Sequence, residues 1–252
     1  MGKPGEPDSG RGVNEALDVI NTLALHDIHS CVVGAKALVY YGAHRVPMCW
    51  DICVPTASFD AAKTLLTRAP LSQKYDLWHH TTPTLGSLAH TYPHFTLKGI
   101  NFYFILTPSS DCNIACEPAQ FDRSPRGVPY PRLELFAQSL LDTQQYADLA
   151  DLVDGMDLEE SWGEQHLRFK VTPLLVEYIR GKNERITASY EGIGINPVPA
   201  RLSETPKLRE RWRRIVGTKA RRINDELPRE RHLTRFRKVG SPDPREITDR
   251  EV

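Results

Sequence analysis

The chain is predicted to be an α/β (α+β) protein: a small mixed sheet flanked by helices, then a helical extension, then a basic tail. Three observations predict it. Over residues 13–108, short β-prone runs alternate with apolar residues at helical spacing. From about residue 131 the helical spacing stands alone. Beyond residue 191 proline and charge density rise and the core signal fades. The 252 residues therefore divide into a disordered N-terminus (1–12), an α/β domain (13–130), a helical extension (131–190) and a basic, partly disordered C-terminal segment (191–252).

The elements follow in order. Residues 1–12 are glycine, proline and charge, with nothing to bury. Val13, Ala16, Leu17, Ile20, Leu23 and Ala24 predict an amphipathic helix to about His26. His29–Val33 is a short β-prone run ended by Gly34. Ala35–Tyr41 is helix-compatible and stops at Gly42, a C-cap glycine. Met48–Val54 is the next strand, closed by Pro55, and Phe59, Ala62, Leu65 and Leu66 give a helix to near Pro70. Tyr75–His80 is a strand or edge segment and Thr81–Tyr92 a loop. Phe95–Leu97 and Ile100–Leu106 pair about Lys98-Gly99 as a hairpin, and Pro108 to Pro131 is a long irregular connection. Leu133, Phe136, Ala137, Leu140 and Leu141 mark a helix, which Tyr146, Leu149, Leu152 and Val153 extend or follow. Leu167–Tyr178 supplies another, with Pro173 near its start.

Composition narrows the function classes. Hydrophobic residues at 40% and charged ones at 25% suit a globular core and argue against a wholly disordered chain. The 32 basic and 32 acidic residues cancel, but Arg201 to Lys238 holds fourteen Lys/Arg against five Asp/Glu, leaving the remainder acidic. No apolar leader opens the chain and no run reaches membrane-span length. Glu6 stands where a myristoylation signal after Gly2 wants Ser or Thr. Five cysteines, an odd number, suit free thiols. The expectation is an intracellular protein, cytoplasmic or nuclear, not secreted and with no membrane partner.

Residues 31–55 carry the most chemistry. They read as a buried strand, a turn at Gly34, a short apolar helix, a basic loop with Arg45, and a second strand bearing Asp51. A glycine turn at a helix start offers free backbone N–H groups to an anion, and a carboxylate on the next strand can hold a cation against that anion. Gly34 and Ala35 are the candidate amides, Lys36 and Arg45 the candidate phosphate contacts, and Asp51 the candidate metal ligand.

In this order the elements resemble the nucleotidyltransferase (DNA polymerase β-like) superfamily. They are most similar to its minimal, non-template members and to a group of fungal proteins of unassigned role. The resemblance covers about residues 13–108, more weakly 131–155, and makes 13–130 a nucleotidyltransferase-like domain. It implies a Gly-Ser or Gly-Gly pair opening a helix, an arginine, Asp-x-Asp on the next strand and a third carboxylate on a later strand. Three carboxylates hold two metal ions that clamp the attacking oxygen and the triphosphate. Here the carboxylate set is degenerate. Cys49 occupies the first aspartate position, the third falls near Asn101, and Gly34-Ala35 replaces Gly-Ser.

Other constellations have plainer readings. On a regular strand Cys49, Asp51 and Cys53 share a face, but two-residue steps of about 7 Å spread them too far for one ion, which favours small buried thiols. Cys112 and Cys116 likewise read as free cysteines, since no second pair has finger spacing. Lys36 and Arg45 could equally be solvated surface charges, and Asp51 a paired structural acid. His79, His80, His90 and His94 read as surface or packing residues. Asp148 and Asp151 resemble an acidic helix that docks the helical part in minimal nucleotidyltransferases. With Asp154, Asp157, Glu159, Glu160 and Glu164 they form a solvated acidic face or a dock for the basic stretch in cis. That stretch, 207–238, contains Trp212 and Phe236 and suits nucleic acid or nuclear import, against the alternative of a solvated tail.

Two functions stay open. One is transfer of a nucleoside monophosphate from a nucleoside triphosphate to a hydroxyl acceptor, with Mg²⁺ or Mn²⁺ on Asp51 as cofactor. The other is a non-catalytic module on the same fold that binds a nucleotide, a nucleic acid or a protein. A scaffold that binds neither metal nor nucleotide is the remaining possibility.

Overall fold

A computed structural model describes residues 12–78, 87–195, 201–224 and 228–247. Helix α1 (Val13–Ala24) buries Val13, Ala16, Val19, Ile20 and Leu23, the face its spacing predicts. Then come β1 (Cys31–Val33), α2 (Gly34–Tyr40), β2 (Trp50–Val54), α3 (Phe59–Thr67), β3 (Tyr75–Trp78), β4 (His94–Leu97) and β5 (Tyr103–Pro108). The five strands form one mixed sheet in the order β1-β2-β5-β4-β3. β5 enters the centre parallel to β2, and every other pairing is antiparallel. The architecture is that of the expected mixed sheet with flanking helices, consistent with a nucleotidyltransferase-like fold.

Between β5 and the helical part the chain is more ordered than its sequence suggests. The one-turn helix α4 (Ser109–Cys112) is followed by a two-stranded sheet of β6 (Phe121–Arg123) and β7 (Pro129–Pro131). Prolines at both ends of β7 argue against a strand. They are tolerated because β7 is three residues long in a sheet with only one partner strand, and it packs against β1. Helices α5 (Leu133–Asp142), α6 (Tyr146–Met156), α7 (Glu160–His166) and α8 (Pro173–Glu191) follow. The helix expected over Leu167–Tyr178 instead begins at Pro173. Thr172 caps it by accepting the Leu175 N–H, and proline at the first helical position needs no donor.

Gly42 and Gly155 let the α/β and helical parts approach. A Cβ on Gly42 would stand 2.5 Å from the Gly155 carbonyl oxygen, and one on Gly155 would stand 2.3 Å from that of Tyr41. Gly42 also ends α2 with φ +91, a conformation open to glycine. Beside this crossing, the buried Tyr41 donates its hydroxyl to the Pro131 carbonyl at 2.5 Å.

The basic C-terminal segment folds back onto the acidic helices. Helix α9 (Leu208–Gly217) and the short α10 (Lys219–Arg222) lie beside α6 and α7, and Trp212 is fully buried in the main core. Its indole fills the space at Gly163, where a Cβ would come within 2.1 Å. Trp212 is therefore a core residue and not a surface stacking platform. Four acids of α6 and its end, at three-residue spacing, are matched in turn. Asp148 and Asp151 pair with Arg45, Asp151 and Asp154 with Arg235, Asp154 with both ends of the Arg222 guanidinium, and Asp157 with Lys219. Asp151 and Asp154 are buried. Of the two readings of the acidic face, the structure shows the dock in cis. The expected partly disordered 191–252 contains these folded stretches; residues 196–200, 225–227 and 248–252 lie outside the described residues, as do residues 1–11 of the expected disordered N-terminus.

Candidate functional site

The site begins where β1 turns into α2. Val33 of β1 lies opposite Asp51 of β2 in the antiparallel ladder. The chain leaves β1 through Gly34 at φ +63, and a Cβ there would sit 2.1 Å from Asp51 Oδ2. Glycine is thus required twice, for the left-handed backbone and for the carboxylate pressed against it. Gly34 and Asp51 open into a cleft of about 750 Å³ between the sheet and the helical part. Thr107 of β5, Asp111 and Cys112 of α4, Phe136 and Ser139 of α5, and Tyr146 and Asp148 of α6 line it. Tyr92, Lys182 of α8 and Arg201 also belong to the wall. The volume lies in the range of small-molecule sites, with convergent polar groups on an otherwise apolar lining.

Asp51 is the electrostatically unusual group. Burial pushes its carboxyl up to about 6, opposed by a hydrogen bond from the Cys49 thiol (Sγ to Oδ1 3.8 Å) and reinforced by the charge of Asp148. Burial likewise raises Asp148, while Arg45 at 3.2 Å pulls it down. Asp111 has its carboxylate taken up by the Tyr92 hydroxyl and Arg185, and its backbone carbonyl accepts from Lys182 Nζ at 2.7 Å. It anchors the wall and positions Lys182, whose ammonium burial holds below the usual lysine range.

The structure brings Gly34 and Asp51 together in the cleft, and adds Asp148. Ala35 is not among the lining residues. Lys36 lies elsewhere: its Nζ sits 4.2 Å over the Trp50 ring, beside a separate cavity of about 350 Å³ that Cys49 and Asn101 also line. Arg45 points to α6, where it pairs with Asp148 and Asp151. Asn101 precedes β5; the residue beside Asp51 in the parallel ladder is Ile105, an apolar side chain. Of the acids in the long connection, Asp111 reaches the cleft, Asp122 lies by Tyr41 and Arg245, and Glu117 accepts from Gln120. Among the described residues no three carboxylates gather as a ligand set. His94 is buried, with Nδ1 2.9 Å from the Tyr92 carbonyl, and His90 packs on Tyr190; His79 and His80 lie outside the described residues.

Neither a family model nor a curated protein sequence matches the chain. Among solved structures it is similar to JHP933 from Helicobacter pylori, at TM-score 0.32 and 13% identity, over 83% of this chain and 90% of that one. It is also similar to terminal uridylyl transferase 4 from Trypanosoma brucei with bound GTP, at TM-score 0.26 and 12% identity. That match covers 84% of this chain and spans 65% of the other.

Lys182, Tyr92 and Arg201 escaped the sequence reading. Lys182 had a legible signal: it falls on the buried stripe Ile179, Asn183, Ile186, Tyr190 of α8, where a lysine needs a partner. Tyr92 and Arg201 sit at the edges of irregular segments, and only the closed fold brings them to the cleft.

Proposed function

We propose that the cleft binds a nucleoside di- or triphosphate with one divalent cation, and that the chain is a binding module on a nucleotidyltransferase-like frame that does not itself transfer. Asp51 carries this reading. A carboxylate that burial has pushed up to about 6, facing the convergent polar groups of the cleft beside Asp148, gains by taking a cation in place of a proton. Mg²⁺ or Mn²⁺ fits, since both prefer oxygen ligands and retain water. Lys182 and Arg201 would meet the phosphates, Tyr92 and Tyr146 would flank the base, and the backbone at Gly34 is open enough for close approach. Arg45 acts indirectly, by holding Asp148. Two metals need a third carboxylate, and Ile105 occupies the neighbouring position on β5.

Transfer is the second reading, favoured by one observation: Asp148 supplies a second acid beside Asp51. A melt and an incorporation assay separate the two. A nucleoside triphosphate at about a hundred times its dissociation constant, with Mg²⁺, should raise the melting temperature by about 5 °C or more, and neither alone should do so. No label from an α-labelled triphosphate should enter a product. Incorporation that Asp51→Ala abolishes would establish the transferase instead; no thermal shift with any nucleotide would leave only the scaffold.

A further inference from the structure

A second cluster lies on the cleft face of the sheet, two residues along β1 and β2 from Val33 and Asp51. Cys31 of β1 and Cys53 of β2 face each other across the antiparallel ladder. Cys116, four residues beyond the end of α4, comes up beneath them. Its Sγ is 3.6 Å from that of Cys53, and the three sulfurs all lie within 4.8 Å of one another. Cys112, the last residue of α4 and four residues before Cys116, also bears on the Cys53 thiol. All four cysteines are free. Cys49 takes no part: it precedes β2, four residues from Cys53, and its thiol bonds to Asp51.

We propose that Cys31, Cys53 and Cys116 bind a zinc ion, with Cys112 beside the remaining corner. Sulfurs held about 2.3 Å from a tetrahedral metal stand about 3.8 Å apart, a spacing the three can reach with small rotamer changes. Soft thiolates exclude Mg²⁺ and Ca²⁺, so the site is independent of the cation proposed for Asp51. Charge favours a divalent ion over a monovalent one: Zn²⁺ with three thiolates leaves a single net negative charge in a buried place, Cu⁺ leaves two. Each thiol that binds loses its proton to solvent and its sulfur lone pair goes to the metal, with no change of oxidation state. The ion would pin the 109–131 connection to the sheet, and with it Asp111, the anchor of the cleft wall.

The test uses the full chain, reduced, stripped with a chelator and titrated with Zn²⁺ or Co²⁺. One ion should bind per chain. The cobalt form should show the intense thiolate-to-cobalt charge-transfer band and the visible bands of a tetrahedral sulfur site. Cys116→Ser, a change at a half-buried loop position, should weaken binding by about tenfold or more. Binding of less than about a tenth of an ion per chain would overturn the proposal, as would a cobalt spectrum without the charge-transfer band. So would a Cys53–Cys116 disulfide as the stable state of protein purified under air. The wild-type spectrum decides the matter even if the variant does not fold.

Discussion

Asp51 and Gly34 act as one device: the glycine makes room, and the carboxylate fills it at the cost of its own hydration. The sign of the pH effect follows. The folded carboxyl, at about 6, holds its proton more tightly than the unfolded one, so its stabilising contribution is complete below about pH 4 and is lost as pH rises through about 6. Asp51→Asn has no such group. Without divalent cations, its melting temperature relative to wild type should climb between pH 4.5 and 7 and then level off; a flat difference would refute the assignment. Gly34→Ala should cost about 2 kcal/mol or more, read from denaturant midpoints, because φ and contact both oppose the methyl. Both residues were legible in the sequence, since a glycine after a buried run and an acid in an apolar strand each demand a reason. Lys36 and Arg45 were legible as charges but not as to direction, because α2 and the loop after it orient them by packing on Trp50 and α6.

At the scale of elements, α6 is the organising helix. Asp151, Asp154 and Asp157, at three-residue spacing, accept the basic segment as a ladder, and Asp154, with no exposed surface, holds Arg222 and Arg235 together. Asp154→Ala leaves two guanidiniums without their shared partner and should destabilise by about 3 kcal/mol, with protease cleavage after residue 201 appearing well below the melting point. An unchanged cleavage pattern would mean that the ladder is ornamental. The ladder, with Glu160 and Glu164 of α7, bears on the nucleic-acid expectation for 207–238. Arg209, Arg213, Lys219, Arg222 and Arg235 already neutralise acids of this chain. Periodicity showed α1, α3, α5 and α6 in advance. It could not show β6 and β7, whose prolines contradict their pairing, nor α7, a polar turn of helix whose Gly163 is explained only by Trp212.

Across the whole molecule one buried cluster joins α1, the sheet, α5, α6 and α9. Composition changes along the chain suggested four successive segments, yet Leu208, Trp212, Ile215 and Val216 belong to the same core as Phe104 and Val13. A chain ending at residue 195 should lose the cooperative melt of the full protein, because no other described part replaces Trp212 against Gly163. The sheet order was not readable either: β5 entering between β2 and β4 is a topological fact that local patterns do not encode, and it puts Ile105 beside Asp51. The cleft exists only because these parts close on one another. Its proposed role is tested most directly by titration calorimetry of nucleoside triphosphates into the full chain, with and without Mg²⁺, for wild type and Asp51→Asn. One nucleotide bound per chain, only with Mg²⁺ and at least about tenfold more weakly in the variant, is the predicted result. Equal binding by both proteins, or binding that ignores Mg²⁺, would contradict it.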